Sequence, residues 1–252
     1  MVVAIGVLIV SGIKLWEAWQ VYAEGNQHYE ALADMVRIES GDSSDLEITK
    51  GDALVEIPNI RIDFEKLRSI NEDTLAWLYC PDTVIDYPVM KAKGNGWYLD
   101  HLPDGTYNAN GTLFLDENSQ TDFSGKLSIV YGHNMKSRKM FGSLTDYKKQ
   151  SYFDNHPYIY LYTAESGNYR IDLIYGAVVD VEEWQARAFM REENFDSLLS
   201  YASNKTTFIS DFVLSDTDKF IVLSTCSYEF DGARYMVIGK LRPEYAKIGE
   251  KH

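Results

Sequence analysis

At 252 residues, 45% hydrophobic and 25% charged, the chain is long enough for one large domain or two small ones and can bury an ample core. A formal net charge of -14 argues against a nucleic-acid binder, which needs a basic surface to neutralise phosphates. Two cysteines, Cys80 and Cys226, lie far apart without CxxC spacing, which speaks against a disulfide scaffold or a thiolate metal site, and the histidines form no HxxxH or HExxH pair.

The chain opens on MVVAIGVLIVSGIKLWEAWQVY. Met1 to Ile13 is apolar or small, Lys14 interrupts, and Trp16 and Trp19 follow. A spanning helix needs about 20 apolar residues, so the run is short for one, yet aromatic residues just past an apolar run suit a membrane interface. Residues 1–20 are therefore expected to form a membrane anchor or signal-anchor lacking its usual basic flank, as in an anchor clipped at its start. The alternative is an amphipathic helix packed on the domain. Residues 21–53 read as a helical and linker region. Leu32, Met35 and Val36, with Trp19 and Tyr22 further back, have heptad-like spacing, and ESGDSSDLEITKGD is rich in turn formers.

Residues 54–245 form the next unit. RIDFEKLRSI predicts a helix that passes into a strand at LAWLYC. VIDYPVM, GTLFLDE, LSIVYGHN, YIYLYTAE, YRIDLIYGAVVDV, KFIVLSTC and RYMVIGKL follow as strands rich in Val, Ile, Tyr and Phe. Such a series predicts a closed barrel or a sandwich without exposed edges. Phe195, Leu198, Leu199 and Ala202 stand at helical spacing and predict a single helix between late strands.

Within KFIVLSTC, alternation puts Phe220, Val222, Ser224 and Cys226 on one face and Ile221, Leu223 and Thr225 on the other. A lone cysteine in an apolar strand is ordinarily a buried space-filler. Cys226, however, ends its strand and opens the polar turn SYEFDGA. His133 ends another apolar run in IVYGHNM, where Gly132 is expected to let the backbone turn. It could be a surface histidine, or the imidazole that a reactive thiol requires. A hairpin between KFIVLSTC and RYMVIGKL would return Arg234 to the side of Cys226, either to stabilise an oxyanion or to pair with Glu229 or Asp231.

These residues and their surroundings resemble the class B sortases. INEDTLAWLYCPDTVIDYPVM, NGWYLDHLPDG, GTLFLDEN, IVYGHNMKSRKMFGSL, HPYIYLYT and LSTCSYEFDGARYMVIGKL occur in that family's order and at about its spacing. The resemblance implies a mainly β fold, an eight-stranded barrel with N-terminal helices and one helix before the Cys-bearing strand. It implies Cys226 as nucleophile, His133 as general acid/base and Arg234 as the group that positions substrate and stabilises the oxyanion. Asn95, Leu99, Trp184, Ser224 and Ser227, with Thr225 beside them, are expected to line a sorting-signal groove. The family's first Thr of the TLxTC motif is Val222 here, and Cys80 replaces a residue that is usually aliphatic.

What the resemblance implies is cysteine transpeptidation. A C-terminal sorting signal, NPQTN-like or PxTG-like, is cleaved after Thr through a thioacyl-enzyme, and the acyl group passes to a peptidoglycan precursor or another cell-wall amine. No cofactor and no metal is required. The expected partners are signal-bearing surface proteins and the membrane, with an extracellular catalytic domain on a single N-terminal anchor and no nucleic acid. Two rival readings use the same features: a hydrolytic cysteine peptidase, and a non-catalytic surface adhesion or scaffold domain.

Overall fold

The computed structural model describes residues 2–39, 57–94, 96–188 and 195–244. Helix α1 (Val2–Val36) runs without a break through both the expected anchor and the expected helical region. Val36 and Leu32 are buried at its end, whereas Leu8, Leu15 and Trp19 are 71%, 73% and 65% exposed. Among the described residues no helix is long and apolar enough to cross a membrane. The turn-rich segment assigned as a linker lies outside the described residues from position 40 onward. Strand β1 (Arg37–Glu39) continues α1 and pairs antiparallel with β2 (Ile60–Ile62), so the helix is stitched to the domain. Helix α2 (Phe64–Ile70) starts at Asp63, whose carboxylate accepts from the Lys66 amide at 2.9 Å, as an N-cap should.

The eight expected strands then appear in order: β3 (Thr74–Tyr79), β4 (Asp86–Lys91), β5 (Leu113–Leu115), β6 (Leu127–Tyr131), β7 (Tyr158–Thr163), β8 (Tyr169–Asp180), β9 (Lys219–Cys226) and β10 (Ala233–Pro243). They close into one barrel in the order β10-β8-β7-β3-β4-β5-β6-β9, with a short helix α3 (Gln150–Asn155) just before β7. Two of its ladders are parallel, β4 with β5 and β6 with β9.

Period-2 alternation sorts each strand into two faces. Leu115, Val130, Ile221, Leu223 and Val237 point inward into the largest core cluster. The outer faces would be wet were they not covered. Trp77 and Tyr162 are covered by the end of α1 and by α2, and Phe220 and Val222 by α4 (Val181–Ala188) and α5 (Phe195–Asn204). Of α4 and α5, sequence spacing predicts only α5. Helix α4 escapes because its amphipathic stretch carries one large apolar residue, Trp184, among Glu and Arg. Val222, at the position of the family's Thr, is fully buried against these helices and serves packing.

Candidate active site

Parallel pairing of β6 with β9 decides where the reactive groups meet. The ladder ends at Tyr131 opposite Ser224. Two residues further along each parallel strand stand His133 and Cys226, at the same rim of the barrel. Strand β10 runs back along β9 with Arg234 directly opposite Cys226. The three residues thus come from three adjacent strands. The histidine arrives from the neighbouring strand and not from across the barrel.

All three line a single cavity of about 560 Å³ together with Leu99, Phe114, Asp116, Asn118, Tyr131 and Ser224. Its floor is the outer face of β6 and β9. One wall is the 3-10 turn Trp97–Leu99, fixed where Tyr98 packs on Met90 and Phe114.

Local bonds hold the rim. The Thr225 hydroxyl donates to the Gly132 carbonyl at 2.7 Å, the Gly132 amide donates to Ser224 O at 3.2 Å, and Asn134 Nδ2 donates to Cys226 O at 2.8 Å. Gly132 is needed here for close approach and not for an unusual φ. A Cβ at this position would fall 2.3 Å from Leu113 Cδ2 and 2.8 Å from Phe141 Cδ2. His133 bonds Leu99 O through Nε2 at 2.5 Å. A carbonyl only accepts, so Nε2 carries hydrogen and Nδ1 is the atom that can take or give a proton.

Arg234 donates to its neighbour's carbonyl, Ala233 O, at 3.0 Å. Among the described residues it makes no ion pair; Glu229 is engaged instead by Lys148 and by the Ser227 hydroxyl. Partial burial pulls the Glu229 carboxyl upward, but its bonds to Lys148 and Ser227 outweigh that and hold it below the ordinary carboxylate range. The guanidinium therefore stays at the cavity with its fork unclaimed by an acid.

The expected groove residues divide. Leu99 and Ser224 line the cavity, and the Ser224 Oγ is buried with no hydrogen bond among the described residues. Thr225 borders it, but its hydroxyl is committed to Gly132. Ser227 is 6% exposed, off the lining, and tied to Lys148 at 3.1 Å. Trp184, expected at the groove, is 1% exposed on α4, packed in the cluster beneath the helices, and outside the lining. Asn95 lies outside the described residues. Phe114, Asp116, Asn118 and Tyr131 were not anticipated. Tyr131 could have been, since it shares a strand face with His133.

The two thiols differ in kind. Cys80 is 1% exposed, and burial pushes its thiol up to about 11 against hydrogen bonds with Thr83 and Tyr147. Cys226 is half-buried and open to the cavity. Iodoacetamide near neutral pH is expected to alkylate Cys226 about tenfold faster than Cys80, or more, because the attacking species is an accessible thiolate. Peptide mass mapping over time reads this, and equal labelling of both would refute it.

Comparison with known proteins fits this geometry. Residues 78–242 match the sortase domain. The chain belongs to the sortase family. It is 29% identical over 243 residues to sortase B of Listeria monocytogenes, covering 93% of this chain and 94% of that one. The solved structure of a Staphylococcus aureus sortase B-substrate complex superposes with a TM-score of 0.66 at 27% identity, over 72% of this chain and 85% of that one. Clostridium perfringens sortase B gives a TM-score of 0.65 at 27% identity, over 71% and 99%. This sortase is thus of class B, a cysteine transpeptidase of cell-wall anchoring, and its barrel is the one those structures share.

Proposed function

We propose that Cys226, His133 and Arg234 carry out the transfer, and that the substrate is a sorting signal seated in the Leu99–Ser224 cavity. The reading rests chiefly on one observation: the three residues converge from adjacent strands on one cavity. Cys226 passes its thiol proton to His133 Nδ1 as Sγ attacks the Thr carbonyl carbon of the signal, and Arg234 donates hydrogen bonds to the oxyanion. The C–N bond then breaks, and His133 gives its proton to the leaving amine. In the second half an incoming amine attacks the thioester, His133 takes a proton from it at Nδ1, and Cys226 leaves as thiolate and takes that proton back. The Ser224 hydroxyl, without a hydrogen bond among the described residues, offers one to the bound peptide. We place the domain outside the cell, held at the membrane by residues 1–20, and the exposed apolar side chains of α1 support this.

A peptide containing Asn-Pro-Gln-Thr-Asn tests the scheme. Acid quenching is expected to trap its acyl portion on Cys226, and added triglycine is expected to give an acyl-triglycine product. Cleavage to the free acid alone, at a rate indifferent to triglycine, would favour the peptidase reading. Absence of any adduct across NPQTN and PxTG peptides would favour the adhesion reading.

A further inference from the structure

Helix α1 touches the domain where the loop after the Trp97–Leu99 turn folds back. Tyr29 is 4% exposed, its hydroxyl donates to Gly111 O, and it lies 2.9 Å from Thr112 Oγ1. Thr112 reaches onward, through its hydroxyl to His101 O at 2.8 Å and through its amide to Tyr98 O at 2.7 Å. The next residue after Tyr98 is Leu99, whose carbonyl holds His133. Three more bonds join loop to helix: Asn108 Nδ2 donates to Val21 O at 2.9 Å, and Asn110 Nδ2 to Tyr22 O and to Asn26 Oδ1, both at 3.3 Å. Gly25 permits this approach, since a Cβ there would fall 2.4 Å from Asn110 Nδ2 and 2.7 Å from Asn108 Oδ1.

From these contacts we infer that α1 is a positioning element of the active site, with Tyr29 setting, through the 98–112 loop, the carbonyl that orients the His133 imidazole. The inference rests on the reading of His133 as general acid/base. A shift of about 1 Å at Leu99 O would break the bond to Nε2 and free the ring to turn or change tautomer, and misplacement on that scale slows catalysis steeply. Loss of the Tyr29 hydroxyl would also leave the Gly111 carbonyl buried without its partner. Burial raises the Tyr29 phenol far above its ordinary range, so the contact stays protonated wherever the enzyme works.

The test compares the full chain with its Tyr29→Phe variant, using Tyr162→Phe as the matched control. Tyr162 is equally buried, and its hydroxyl also donates to a carbonyl, Pro58 O at 3.0 Å, in the cluster beneath α2 and the end of α1. Ring nitrogen-15 signals of His133 report the tautomer directly, and kcat and KM are read with the NPQTN peptide and triglycine. Wild type and Tyr162→Phe are expected to show one Nε2-protonated ring. Tyr29→Phe is expected to show mixed tautomers and about a tenfold fall in kcat, with KM within about twofold. Unaltered His133 signals in Tyr29→Phe, or an equal kcat loss in Tyr162→Phe, would overturn the inference. Altered signals with undiminished kcat would support the positioning by α1 and instead remove the catalytic reading of His133.

Discussion

Replacing Cys226 by Ala is expected to reduce acyl transfer by on the order of 10⁴-fold or more, to background. The rim would still hold His133 and Arg234, but no atom could form the thioester, and residues that act as a unit lose nearly everything when the nucleophile goes. The fold should survive. Cys226 is half-buried at the end of β9, and the Asn134 bond that holds it goes to its backbone carbonyl, which Ala retains. A stability change of about 1 kcal/mol or less is the expectation for a swap of this kind. Activity and melting temperature measured on one preparation therefore separate chemistry from folding. More than about one per cent residual transfer by a well-folded variant would remove Cys226 from the mechanism.

Arg234→Lys is expected to lower kcat/KM by about 10²- to 10³-fold, the usual cost of losing an oxyanion donor. The substitution keeps the positive charge and much of the stem, so it asks whether charge or shape matters. Lysine presents a compact ammonium and cannot reproduce two parallel N–H donors in one plane. The structure gives the site no other reason to need arginine, because among the described residues no carboxylate pairs with it and Glu229 belongs to Lys148. Rates within about threefold of wild type would show that a point charge suffices and that planar donation to the oxyanion plays no part.

Much of this arrangement could be read from residue order, and the reasons differ by element. The barrel strands announce themselves because each is an alternating run bounded by turn formers. The Cys226–Arg234 juxtaposition follows from a short hairpin, which pairs neighbours in sequence. His133 could be placed at a strand end but not on a particular neighbour, since a parallel ladder between β6 and β9 leaves no turn signature to read. Trp184 is expected at the groove from the resemblance alone, which does not reveal that α4 turns it into the cluster beneath the helices. The α1–loop contacts were invisible, being made by Tyr29, Asn108, Asn110 and backbone carbonyls that carry no periodic signal. The function of Gly132 likewise emerged only with Leu113 and Phe141 around it.

The ladder between β6 and β9 also bears on when the enzyme becomes active. It joins segments whose bonded residues, Gly132 and Thr225, stand 93 positions apart, and the ring of strands is not closed without it. Contacts of that sequence separation demand their loop-closure entropy before they return packing energy, so they belong to the slow steps of folding. The thiol and imidazole are brought side by side by this same seam. A chain still emerging or only partly folded holds a cysteine without its histidine, and reactivity is acquired at the moment the barrel shuts.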